Sequence, residues 1–185
     1  MATVLVPLAQ GCEELEAITI VDLLRRAGIE VITAGLEPGP VRASRGTVIV
    51  PDTTIDEVAD RDFDMVVLPG GLPGADHLDR DPRIREILRR HAASGHYVGA
   101  ICAAPRVLAH AGLLEGRRAT SYPGVLEAES VPGMQLETAP VVQDGKVVTS
   151  RGPGTAMDFA LKLIELLAGR EKRDEVEKAL QRPAC

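Results

Sequence analysis

Apolar and polar positions along this chain alternate between two spacings. Residues 2–8 (Ala-Thr-Val-Leu-Val-Pro-Leu) are almost continuously apolar, the pattern of a strand buried on both faces. Leu15, Ile18, Val21, Leu24 and Ala27 then recur at helical spacing, and Gly28 stands where a helix ends. A second strand is predicted over 29–34, and a short β-branched one over 48–50 ends at Pro51. Apolar residues 65–68 run into Pro69-Gly70-Gly71. Pro82 opens a predicted helix that reaches Ser94 and stops at Gly95, with the next strand over 97–101. A further helix is predicted from Ala103 to Gly112. Asp144-Gly145, flanked by strands over 141–143 and 146–149, is the strongest hairpin signal in the chain. Helices over 155–168 and 171–180 complete the pattern. Such alternation predicts an α/β fold, a doubly wound parallel sheet with helices on both faces. With no linker or repeat in view, one domain over 1–185 is expected.

Composition narrows the function. A length of 185 residues suits one domain, and 45% hydrophobic with 26% charged residues is globular. The net charge of -6 argues against nucleic-acid binding. Phe63, Tyr97, Tyr122 and Phe159 are the only aromatic residues besides histidine, too few for a base-stacking platform. The apolar runs are short of a membrane span and no basic leader precedes them, so a soluble, cytoplasmic protein without membrane contact is expected. Cys12, Cys102 and Cys185 are odd in number and far apart. His77, His91, His96 and His110 form no ligand motif, and His91 and His96, after a charged helical stretch, read as surface residues. Neither a metal nor a cofactor is expected.

Ligands of open α/β sheets bind beyond the carboxyl ends of the strands, where strand order reverses. Three predicted strand ends carry unusual residues there: 10–16, 69–71 and 100–105. Cys102, between the small residues Ala100 and Ala104, has the form of a nucleophile elbow, and a helix starting just behind it would favour the thiolate. A buried structural thiol is the alternative on residue type. Glu13 and Glu14 read as first-turn acids that complement the helix dipole. Glu16 is either a third such acid or an inward, protonated partner of a thiolate. Gly70 and Gly71 are an ordinary turn or backbone donors to an oxyanion. Cys12 lies in the first of these loops and so near the same edge.

Together, Gly11-Cys-Glu-Glu-Leu-Glu16, Val21-Asp-Leu-Leu-Arg-Arg-Ala-Gly28, Val67-Leu-Pro-Gly-Gly71, Ala100-Ile-Cys-Ala-Ala-Pro105 and Thr149-Ser-Arg-Gly-Pro-Gly-Thr155 resemble the ThiJ/PfpI superfamily. Within it they resemble the branch of the Parkinson-disease protein deglycase (DJ-one), as a bacterial member. Arg25 and Arg26 stand late on a helix apolar enough to be buried against something, either its own sheet, with the arginines solvated, or a second copy. The resemblance implies a flavodoxin-like fold and a homodimer, with Ser44 and Arg45 near the neighbouring site. It implies Cys102 as nucleophile, Glu16 as protonated acid, and the amides of Gly70, Gly71 and Ala103 as oxyanion donors. Cys12, Tyr122, Arg45 and Pro153 complete the implied pocket. Ala103 stands where the protease-like branch has His, so a Cys–His peptidase is not implied. Tyr122 stands where a DJ-one relative has His, which puts any mechanism needing that base in doubt. The implied activity is detoxification of small dicarbonyls, methylglyoxal to lactate, or deglycation of early protein or nucleotide adducts, without a cofactor. The alternative is an oxidative-stress sensor or redox-dependent chaperone acting through Cys102 oxidation.

Overall fold

The computed structural model describes residues 1–183; Cys185 lies outside them. β1 (Thr3–Leu8) leads to α1 (Glu14–Arg26) and β2 (Glu30–Gly35). Three two-residue strands follow, β3 (Val41–Arg42), β4 (Val48–Ile49) and β5 (Thr53–Thr54), then α2 (Ile55–Val58) and β6 (Met65–Leu68). α3 (Gly74–Arg80) and α4 (Pro82–Ala93) precede β7 (Tyr97–Ile101), and α5 (Pro105–His110) leaves it. β8 (Arg118–Ala119) and β9 (Gln135–Leu136) form a separate pair ahead of the hairpin β10 (Val141–Asp144) and β11 (Val147–Ser150). α6 (Ala156–Ala168) and α7 (Arg170–Ala179) complete the chain.

The main sheet has seven strands in the order β10-β11-β7-β6-β1-β2-β5. Every pairing is parallel except that of the edge strand β10. Alternate side chains of β1 enter opposite cores, as the two-residue period of a strand requires. Val4 and Val6 pack with Ala17, Ile20 and Leu24 of α1 and Phe159 and Leu163 of α6. Leu5 packs with Leu78 of α3, Leu88 of α4 and Leu108 of α5. Each such side chain contributes about 1.5–3 kcal/mol on full burial. This is the doubly wound, flavodoxin-like α/β arrangement. Among the described residues no helix is long and apolar enough to cross a membrane.

Four local readings need correction. Leu15 and Ile18 do not face the core: they are 49% and 47% exposed. Steps of three residues drift by about 60° each around a helix of 3.6 residues per turn, so the buried face is Ala17, Ile20, Val21 and Leu24. The predicted strand over 48–50 pairs with β3 outside the main sheet, whose edge is β5. The helix after β7 starts at Pro105, not Ala103. His91 is buried: its Nε2 accepts from the Phe63 amide at 3.0 Å and its Nδ1 donates to the Ile87 carbonyl at 2.8 Å. One donor and one acceptor make it a neutral structural imidazole, and burial holds its pKa below the ordinary value.

Candidate active site

The chain winds from β1 to β2 on one side and to β6, β7 and β11 on the other, so strand order reverses beside β1. The loops leaving β1, β6 and β7 meet in the crevice at this point. Glu16, in the first turn of α1, is fully buried and its Oε2 accepts the Gly70 amide at 2.8 Å. Glu13 is the N-cap of that helix, accepting the Glu16 amide at 2.8 Å. Its own amide donates to the Gly70 carbonyl at 2.9 Å, closing a ring of three hydrogen bonds around the carboxyl. Only glycine fits at position 70. A Cβ there would lie 2.6 Å from Cys102 Cβ, 2.7 Å from the Ile101 carbonyl and 2.8 Å from Glu16 Oε2.

Cys102 follows β7 in the left-handed region, with φ 65°. For a side chain other than glycine this costs about 1–3 kcal/mol, held here by the surroundings. The Cys102 amide donates to the Ser150 carbonyl at 3.0 Å, and its carbonyl accepts the Tyr122 amide at 2.9 Å. Ala100 and Ala104 are both fully buried, so the sharp turn has room only for small neighbours. The amides of Gly71 and Ala103 act to lower the pKa of the thiol. The Gly70 amide, expected to serve an oxyanion, is instead bonded to Glu16.

Thiol and carboxyl form one coupled unit. Burial pushes the Glu16 carboxyl up to about 7, against the hydrogen bonds from Cys102 and Gly70. Glu16 Oε1 is buried without a conventional partner. Burial also raises the Cys102 thiol, and the nearby Glu16 carboxylate raises it further, while the Gly71 and Ala103 amides oppose the shift. Two anions do not share this space. While Glu16 is ionised Cys102 keeps its proton; a proton on Glu16 removes the repulsion and makes its hydroxyl a donor to the thiolate. The lowering of the thiol pKa expected from a helix dipole is not found: burial, then Glu16, raise it. α5 has six residues and starts beyond the turn, and only the Gly71 and Ala103 amides oppose the rise.

A family model described as the DJ-1/PfpI family matches residues 2–166. The chain belongs to the DJ-1/PfpI family. It is 48% identical over 177 residues to Drosophila melanogaster protein dj-1beta, covering 95% of each chain. The crystal structure of Drosophila DJ-1beta superposes with a TM-score of 0.93 at 45% identity over 99% of each chain. A glutathione-independent glyoxalase of Caenorhabditis elegans, DJR-1.2, is 39% identical over 179 residues, 97% of this chain and 95% of that one.

In this DJ-1/PfpI protein the remaining expected pocket residues fall unevenly. Tyr122 is 52% exposed, tied by its amide to Cys102, with its ring beside Gly152 just before Pro153. Cys12 is buried with its backbone against Gly74, and burial, then Glu14 and Glu13, push its thiol up to about 11. Arg45 is exposed, and its amide binds the Glu14 carboxylate at 3.0 Å; no contact brings its side chain to Cys102. Glu13 is the residue that sequence reasoning undervalued. An acidic N-cap three positions before Glu16 was its signal, but its bond to Gly70 spans the fold. Among the described residues no group of three or more His, Cys, Asp or Glu is disposed to hold a metal ion.

Proposed function

We propose that the chain is a cysteine-dependent enzyme that converts small dicarbonyls such as methylglyoxal to 2-hydroxy acids. The observation that carries this reading is the buried Glu16 carboxyl, one oxygen unpartnered, against a cysteine held in a left-handed elbow. The Cys102 thiolate adds to the aldehyde carbon, and the Glu16 proton goes to the resulting oxygen, giving a hemithioacetal. The Glu16 carboxylate then removes the hydrogen of that carbon as a proton and returns it to the adjacent carbonyl carbon by way of the enediol. The product is a thioester of lactate. Water hydrolyses it, releasing lactate and the thiol, so the net reaction is methylglyoxal plus water to lactic acid. The Gly71 and Ala103 amides support charge on sulfur or an adjoining oxygen. The name of the C. elegans relative supports the same reading.

The test is lactate release from methylglyoxal at several ratios of free aldehyde to protein or nucleotide adduct. Rates are expected to follow free aldehyde, since adducts dissociate reversibly, and Cys102→Ser and Glu16→Gln each to lose about 10³-fold. Wild type releasing no more lactate than Cys102→Ser overturns the enzyme. A second reading, an oxidative-stress sensor, draws on the same two amides, which would hold the oxygens of a Cys102 sulfinate. Peroxide conversion of Cys102 to sulfinate without lactate release selects it.

The functional unit in this proposal is a homodimer. Arg25 pairs with Asp52, and Arg26 with Asp22, within the chain, so neither argues for a partner. The apolar outer face of α1, Leu15 and Ile18, does, beside a hairpin that Glu14 straps to the helix through the Arg45 and Thr47 amides. Wild type is expected to run as a dimer at micromolar concentration and Ile18→Glu as a monomer, measured by light scattering. A monomeric wild type refutes it.

A further inference from the structure

His110 ends α5 in an arrangement opposite to that of His91. Its Nδ1 faces Asp79 of α3, with Oδ2 at 2.8 Å and Oδ1 at 3.0 Å, and its Nε2 faces Glu129 Oε2 at 2.9 Å. Both acceptors are carboxylates, which donate nothing when ionised. A neutral imidazole has one N–H, so either tautomer would set a lone pair against an anion. The contacts are satisfied together only by the imidazolium.

Glu129 belongs to the stretch 120–134, which begins at the Cys102 site. The Thr120 amide binds Thr149 Oγ1 at 2.9 Å, Tyr122 binds the Cys102 carbonyl, and Leu126 is buried in the core. Among the described residues the His110–Glu129 contact is the only side-chain ion pair joining this stretch to the rest of the chain. The Asp79 contact, by contrast, has a duplicate: Arg106, one turn earlier on α5, pairs with Asp76, one turn earlier on α3. Arginine stays charged at every relevant pH. From α4, Arg89 donates to the Ala111 carbonyl and Arg85 to the Asp79 carbonyl, so the charged side chains around the ring are Asp76, Asp79, Glu129, Arg85, Arg89 and Arg106.

We propose that His110 is a proton-operated clasp that fastens the 120–134 stretch, and with it the Tyr122 side of the Cys102 site, to α3 and α5. Below its midpoint the imidazolium holds both carboxylates. Above it the remaining N–H stays with Asp79, which offers two oxygens, and Glu129 is released. Helices α3 and α5 stay pinned by Arg106, so the change is confined to the stretch beside the site. Burial works against the charge on His110, but the hydrogen bonds to Asp79 and Glu129 outweigh it and raise its pKa above the ordinary 6.5.

Nitrogen NMR of the imidazole rings and amide hydrogen exchange over 124–131 test this from pH 6 to 9, without reference to Cys102 chemistry. In wild type, both His110 nitrogens are expected to be protonated at pH 6, with a midpoint above 6.5. Exchange, corrected for its intrinsic pH dependence, is expected to rise several-fold across that midpoint. Glu129→Gln, at a partly exposed loop position, is expected to show the faster exchange at every pH, with no step and a lower His110 midpoint. A single protonated nitrogen at pH 6, or exchange in wild type that matches Glu129→Gln throughout, overturns the clasp.

Discussion

Two carboxylates at the parallel sheet meet opposite fates. Asp52, just before β5, receives three donors on Oδ2: the Thr33 amide at 2.9 Å, the Thr33 hydroxyl at 2.8 Å and the Arg25 guanidinium at 2.9 Å. Burial works to raise its pKa, but the Thr33 hydrogen bonds and Arg25 outweigh it, and the pKa falls below the ordinary value. Glu16 receives one amide, has an unpartnered oxygen and a thiol for a neighbour, and its pKa rises to about 7. A carboxylate supplied with donors is a fastening. One denied them is shifted toward its protonated form, and the fold supports its burial.

The comparison breaks most visibly in activity. Glu16→Gln is expected to remove about 10³-fold of the turnover, whereas Asp52→Asn leaves it unchanged. Equal losses in the two variants would make Glu16 a structural acid like Asp52. Stability is expected to move the other way. The Glu16 pKa is raised on folding, so its contribution is greatest below 4.5 and is lost as pH rises through about 7. Glu16→Gln does not ionise, and at pH 8 it is expected to exceed wild type by about 1–3 kcal/mol in urea unfolding, the gain disappearing below pH 4.5. A Gln variant less stable than wild type at pH 8 would show that the site is not under charge strain. The smallest effect belongs to Asp52→Asn, about 1–2 kcal/mol destabilising at pH 7, because that cluster is half exposed. The Asp52 pKa is depressed on folding, so its contribution is present above 3.8 and lost as pH falls through the lower folded value. An Asn variant whose deficit is undiminished in acid contradicts that origin.

The strands of the parallel sheet were legible because burial on both faces leaves continuous apolar runs, as in β1 and β6. The hairpin around Asp144-Gly145 was legible from its turn residues. α3 was missed because Gly74-Ala-Asp-His-Leu-Asp-Arg80 has only Ala75 and Leu78 to bury and no capping side chain. The residues that the fold brings together at the candidate site were legible by type: a cysteine among alanines, a glycine pair, and a glutamate late in an acidic run. What linear reading lacks is who donates to whom. The Gly70 amide binds the carboxyl across 54 positions, and the thiol is raised by burial and then by a carboxylate remote in sequence. His91 was misplaced for the same reason, since its partner amide belongs to Phe63.

The margins of the sheet have a consequence of their own. A parallel sheet exposes two rims of unsatisfied peptide groups on which another chain could polymerise. Here one rim is the two-residue β5, with Pro51 close before it, too short to template a neighbour. At the other, Arg118 donates to the Gln143 carbonyl at 2.8 Å and Arg117 to the Asp144 carbonyl at 3.3 Å, so bulky cations occupy acceptors of β10. Both borders are poor templates for strand addition, so the fold guards its own edges against polymerisation.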